Sequence, residues 1–329
     1  MRDYMNKQKV YENIYKMIND GLFLNKYIEL SKDISLLELV GNEFERNLRF
    51  LENVSASIFN SILIGCQLFD DENLIVKFVD TFSSYLNSNC LAMFLEDFGL
   101  TEQEACNRLI HGFGVHFTTP KICDEIIKCK KLVGFGKNAM FTKDEDEIIK
   151  QASMEQIANN KDTERTMNYL FRGWGTGVSS YSSMTNGFWM YHTPESLTFL
   201  FGDISKRNKK EAMLFVENNV SALSLESRKK VLIVMSNIYD RLIGEEQQVG
   251  CILIDRDAFK YEVDYYYNNG TPIAVERRPY SNNNLNSLDN SDSKISNDID
   301  INYLRFLKIP TVLNLEMMKQ EMLKKSNIK

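Results

Sequence analysis

Histidine, proline and tryptophan are scarce in this chain, at 3, 5 and 2 of 329 residues. Neither His111 nor His116 is paired with cysteines at zinc-binding spacing, which argues against a structural zinc site. The six cysteines are scattered, and none forms a C-x-x-C pair. Cys66 and Cys90 sit in apolar segments, where a thiol behaves as a small hydrophobe. A reduced compartment follows, since disulfide frameworks belong mostly to small secreted domains. No long apolar run exists: the stretch Ile58 to Cys66 is broken by Asn60 and Ser61 and is too short to span a bilayer. The N-terminal residues Met1 to Lys7 are polar and carry no apolar core of a secretory signal. A cytoplasmic location without membrane attachment is therefore expected, with export by a dedicated machine left open. Also absent are a phosphate loop, a dinucleotide-binding glycine fingerprint in its strand-to-helix context, and a Gly-x-Ser-x-Gly elbow. Positive charge is in deficit as well: 39 Lys and Arg against 45 Asp and Glu give −6. That disfavours a broad phosphate-binding surface for nucleic acid.

What is present is a chain 43% hydrophobic, enough for a substantial core, and long enough for two domains or one with an extension. Residues 1–110 read as helical. Val10, Ile14, Met17 and Ile18 recur at helical spacing, and a second pattern runs from Leu36 to Leu51. Ile58, Leu63 and Leu68 suggest a third helix, and Asp70 to Asn73 a break before a fourth from Leu74. Thr101 with Glu104 fits a capping box that opens a further helix, which Gly112 or Gly114 could end.

From Gly114 the pattern changes. Val115-His116-Phe117-Thr118 reads as a strand, and Thr119-Pro120 as the start of a capped helix faced by Ile122, Ile126, Ile127 and Cys129. Ala139 to Thr142 could form a strand, followed by a polar helix from Asp144 to Ile157. Residues 173–187 read as a loop, Phe188 to Tyr191 as a strand, and Thr193-Pro194 as another helix start. Helices are expected over Lys209 to Val216 and Glu226 to Leu242, and a buried strand over Gly250 to Asp255. Tyr261 to Tyr267 and Ile273 to Glu276 form a hairpin around Asn268-Asn269-Gly270. Residues 282–300, rich in Asn, Ser and Asp, are expected to be a mobile loop. An apolar segment, Tyr303 to Leu313, and a charged C-terminal helix fill 301–329. The fold class is α+β: a helical third over 1–110, then a strand-rich body over 111–281.

The run Val115-His116-Phe117-Thr118-Thr119-Pro120, leading through Ile122 and Ile126 to Leu132-Val133-Gly134, resembles the first strand and helix of the ADP-ribosyltransferase superfamily, in its histidine–tyrosine–glutamate branch. The resemblance covers about residues 112–281 and implies an ADP-ribosyltransferase-like body with a helical insertion over 205–245. It implies NAD as the substrate, with His116 bonding a ribose hydroxyl and the backbone of Phe117, beside Thr118, holding the nicotinamide amide. Many relatives carry glycine where Phe117 stands, and backbone groups suffice there. His111-Gly112 is the competing histidine.

In the same family an aromatic residue stacks on the nicotinamide ring. Here Tyr191 takes that place, with Phe199 or Phe201 closing the other side. Glu276 is the carboxylate that would stabilise the oxocarbenium-like state as nicotinamide leaves, with Glu262 as its rival. A second branch of the superfamily uses arginine and a Ser-Thr-Ser strand, which Phe171-Arg172-Gly173 and Ser179 to Ser183 echo. The resemblance implies an ADP-ribosyltransferase or NAD glycohydrolase, toxin-like in kind, with a protein or nucleic-acid acceptor and no metal. The alternative is a non-enzymatic interaction or regulatory protein whose N-terminal helices engage a protein partner.

Overall fold

Apolar residues at helical spacing build the first element of the computed structural model. α1 (Lys7–Asn19) buries Val10, Ile14, Met17 and Ile18, and Asn6 caps it by accepting from the Lys9 N–H. The structure describes residues 6–36, 41–84, 91–133, 141–159, 177–179, 201, 208–244, 248–258, 262–268, 271–277, 292–294 and 298–326.

α2 (Leu22–Leu30) follows a left-handed Gly21. The second and third expected helices are largely one element, α3 (Asn42–Leu68), in which every residue from Val54 to Leu68 is buried. Such all-round burial marks a central helix. Its polar positions are accommodated locally: the Ser61 hydroxyl donates to the Ser57 carbonyl at 2.7 Å and that of Ser57 to the Ser83 carbonyl at 3.1 Å. The break at Asp70 to Asn73 is present, with Asp71 capping α4 (Glu72–Phe82). After the single turn of α5 (Leu91–Phe94) comes α6 (Glu102–Ile110), opened by the Thr101–Glu104 capping box.

The strands are β1 (Phe113–Thr118), β2 (Lys131–Leu132), β3 (Gly177–Ser179), β4 (Gln248–Asp255), β5 (Glu262–Asn268), β6 (Thr271–Arg277), β7 (Asp292–Lys294), β8 (Ile299–Asp300) and β9 (Leu304–Pro310). Seven of them form one sheet in the order β6-β5-β7-β3-β1-β4-β9, and β2 pairs with β8; every pairing is antiparallel. Between strands lie α7 (Pro120–Cys129), α8 (Lys143–Asn159), α9 (Lys209–Asn219) and α10 (Leu225–Leu242), and α11 (Val312–Ser326) follows β9. The protein is of the α+β class.

Two expectations are corrected. Thr142 is not in a strand: its backbone N–H donates to Glu145 at 2.8 Å while its hydroxyl accepts from the Glu145 N–H, so it opens α8. And the polar stretch 282–300 is not structureless throughout. Asp292–Lys294 pairs with both β3 and β5, and Ile299–Asp300 pairs with β2. Backbone pairing on both sides of β7 needs no apolar side chains, so composition gave no sign of it.

One core runs from the helices into the sheet. Phe113, Val115 and Phe117 of β1, Val249, Cys251 and Leu253 of β4, and Leu307 and Ile309 of β9 pack with α1 to α4 and α6. Change of secondary structure at residue 110 is therefore not a gap in the core. The opposite face, through Ile252, Ile254 and Leu304, packs on Cys123 and Ile126 of α7. A third cluster joins α8, α9 and α10 through Ile149, Val216, Val231, Val234, Ile238 and Tyr239.

Candidate functional site

β1 enters the sheet through a close fit. The Gln67 carboxamide oxygen of α3 accepts from the Phe113 N–H at 2.7 Å. A Cβ at Gly112 would lie 1.9 Å from that oxygen. Gly112 directly follows the C-cap of α6, its N–H donating to the Leu109 carbonyl at 3.1 Å, as expected of a residue at the helix end, and a side chain there would also press on the Gln67 carboxamide.

Along β1 five of the six residues are buried, and His116 is the half-buried one. It pairs with Ile252 and so lies on the face carrying α7. Phe117, on the other face, packs against the Phe59 ring with centroids 5.9 Å apart. Thr118 is buried opposite Gly250, where a Cβ would come within 2.7 Å of both the Thr119 carbonyl oxygen and the Cys123 Sγ. That glycine lets α7 lie directly on β4.

As expected, Thr119 caps α7 with Pro120 in its first turn. The Thr119 hydroxyl also donates to the Leu242 carbonyl, and the Lys121 ammonium donates to the Asp240 carbonyl at 2.6 Å. The turn after His116 is therefore fastened to the C-terminal end of α10, where a cation complements the helix dipole.

The other expected site residues are only partly described. Tyr191 and Phe199 lie outside the described residues. Phe201 is fully buried and meets Tyr239 edge-on at 5.7 Å, so it is core of the α8–α10 unit and not one side of a ring clamp. His111 caps the end of α6 at the surface, with Nδ1 2.9 Å from Asp257. Asp257 also accepts from Lys7 at 2.6 Å. Burial pushes the Asp257 carboxyl up, but His111 and Lys7 outweigh it and hold the group below its ordinary value.

Glu276 is on β6, four strand positions from β1, or roughly 19 Å across the sheet. The register separates them further. Val115 pairs with Ser179, Gly177 with Lys294, Lys294 with Val263, and Val263 with Glu276. Paired positions share a face and alternate positions return to it. Position 276 thus falls on the face of Val115 and Phe117, while position 262 falls on the face of His116, three strands or roughly 14 Å away. The sequence could not reveal this, because the ladder runs through β7.

Among the described residues, no three His, Cys, Asp or Glu side chains gather as a metal site, and no helix is long and apolar enough to cross a membrane. No known family profile, curated protein or solved structure matches the chain.

Proposed function

We propose that this protein consumes NAD, as an ADP-ribosyltransferase acting on a macromolecule or as an NAD glycohydrolase, in a reducing cytoplasm. The observation that carries the reading is His116: the half-buried residue of an otherwise buried strand, immediately before a capped helix, as the resemblance requires. Its imidazole would bond a hydroxyl of the nicotinamide ribose, with Thr118 and the Phe117 backbone beside it and Tyr191 stacking on the nicotinamide. In the reaction the N-glycosidic bond breaks and nicotinamide leaves with the bonding electron pair. The positive charge left on the ribose is stabilised by a carboxylate and quenched by an acceptor or by water. Glu276 is the carboxylate named by the resemblance. Glu262 is the one whose strand position shares the face of His116.

Calorimetric titration with NAD tests the binding half of this reading. Wild type is expected to bind, and His116→Ala to bind at least about tenfold more weakly, the loss of one good ligand hydrogen bond. No heat and no thermal stabilisation of the wild type by NAD would overturn it. The reading then left is a non-enzymatic interaction protein, which draws support from the exposed apolar side chains Met154, Leu214, Leu225 and Ile233 on the α8–α10 unit.

A further inference from the structure

Beneath the C-terminal helix lies a cluster of ionisable groups that the proposed chemistry does not use. Four residues of α11 are buried: Val312, Leu315, Glu316 and Lys319. Half of this anchor is charged, and Glu316 and Lys319 retain 0% and 1% of their exposure. Everything from Glu321 to Ser326 is exposed.

The charged half is closely partnered. The Lys319 ammonium donates to the Ser31 carbonyl at 2.5 Å, the Ser31 hydroxyl at 3.2 Å, the Ile34 carbonyl at 2.5 Å and Glu316 Oε1 at 3.4 Å. Ser31 is the C-cap of α2, so the ammonium also sits where that helix dipole favours a cation. Glu316 Oε1 accepts the Tyr27 hydroxyl of α2 at 2.9 Å, while Oε2 is buried with no partner among the described residues. Gln320 adds a bond to the Ser35 hydroxyl at 3.3 Å. A single residue, Thr311, joins α11 to β9, and β9 is held independently by its seven-residue ladder with β4.

We propose that α11 is a strap locked by the Glu316–Lys319–Tyr27 cluster, which docks or releases as a unit without unfolding the sheet or the central helix α3. The physical reason is asymmetric. A buried ion pair is costly unless complete, and removing one partner strands the other charge in the interior. Few apolar anchors offset that loss, and the bare Oε2 already weakens the docked state. Release uncovers the C-terminal end of α2, including the Ser31 and Ile34 carbonyls, and frees the start of the connection to α3. The fold thereby contains a conformational switch at the end of α2, independent of the NAD reading.

Hydrogen exchange followed by mass spectrometry on the full chain tests this, comparing wild type, Glu316→Leu, Lys319→Met and the double variant. In each single variant exchange in α11 and the last turn of α2 should accelerate by about a hundredfold or more, with α3 and β4 protection unchanged. In the double variant, where neither charge remains, α11 should return to wild-type protection or better. Loss of protection in α3 together with α11 would overturn the proposal, because α11 would then belong to the global folding unit. So would a double variant as exposed as the single ones, or single variants indistinguishable from wild type.

Discussion

A methyl group at Gly112 would meet the Gln67 oxygen at 1.9 Å, and the same oxygen holds the first N–H of β1. Gly112→Ala should therefore cost about 1–3 kcal/mol, read as a lower urea midpoint, and Gln67→Ala in the same chain should recover part of it. Asn60 presents the opposite case. It is buried in the middle of α3, and neither its amide nitrogen nor its oxygen has a partner among the described residues. Asn60→Leu should stabilise the protein by about 1–3 kcal/mol, the penalty of a buried unpaired polar group; a destabilised variant would mean that the amide has a partner in solution. Capping was the most legible feature at this scale. Thr101, Glu104, Thr119 and Pro120 announced themselves because a cap is decided within four residues of sequence. The close approach of Gly112 to Gln67 was not legible, since that side chain is 45 residues away in the chain.

Among the elements, the clearest clip is between α8 and α10. Arg241 grips Glu145 with both terminal nitrogens, at 3.0 and 2.9 Å, while the Thr142 N–H bonds the same carboxylate. Burial pushes the Glu145 carboxyl up, but Arg241 and Thr142 outweigh it and bring it below its ordinary 4.5. A group depressed in the folded state contributes stability that is fully present above its unfolded value and is lost as pH falls through the folded one. The stability difference between wild type and Glu145→Gln should accordingly be constant from pH 8 to about 5 and shrink below about 4.5, followed by denaturant melts at each pH. A difference that grows on acidification would contradict the assignment.

Element existence was readable wherever apolar periodicity was strong, as in α1, α10, β4 and the β5–β6 hairpin, whose ladder runs as far as the pair Asn268 and Thr271. It was not readable in β7, whose three residues are Asp, Ser and Lys. Nor was the continuity of α3, because its buried serines bond their own helix or Ser83 and so break the apolar pattern without breaking the helix.

At the scale of the molecule, the helices of residues 6–110 and strands β1, β4 and β9 share one hydrophobic core. Removing the N-terminal helices strips one face of β1, β4 and β9, so residues 111–329 alone should lack fixed tertiary structure. The expected signature is loss of near-ultraviolet circular dichroism with gain of dye binding; a cooperatively melting fragment would refute it. The α+β class followed from the order of patterns along the chain. The candidate site was legible only in part. His116 stood out as a histidine on an apolar strand before a capped helix, whereas the relation of Glu276 to it depends on strand order and face.

If His116 lies in an NAD-cleaving site, as proposed, nicotinamide release is the readout nearest the chemistry. Purified protein would be incubated with NAD, with and without cell lysate as a source of acceptor, alongside His116→Ala, Glu262→Gln and Glu276→Gln. Release by the wild type is expected, with its loss in His116→Ala and in one of the two glutamate variants, Glu262→Gln being the one favoured by the register. Release that persists in His116→Ala, or no release from the wild type under either condition, would contradict the proposal.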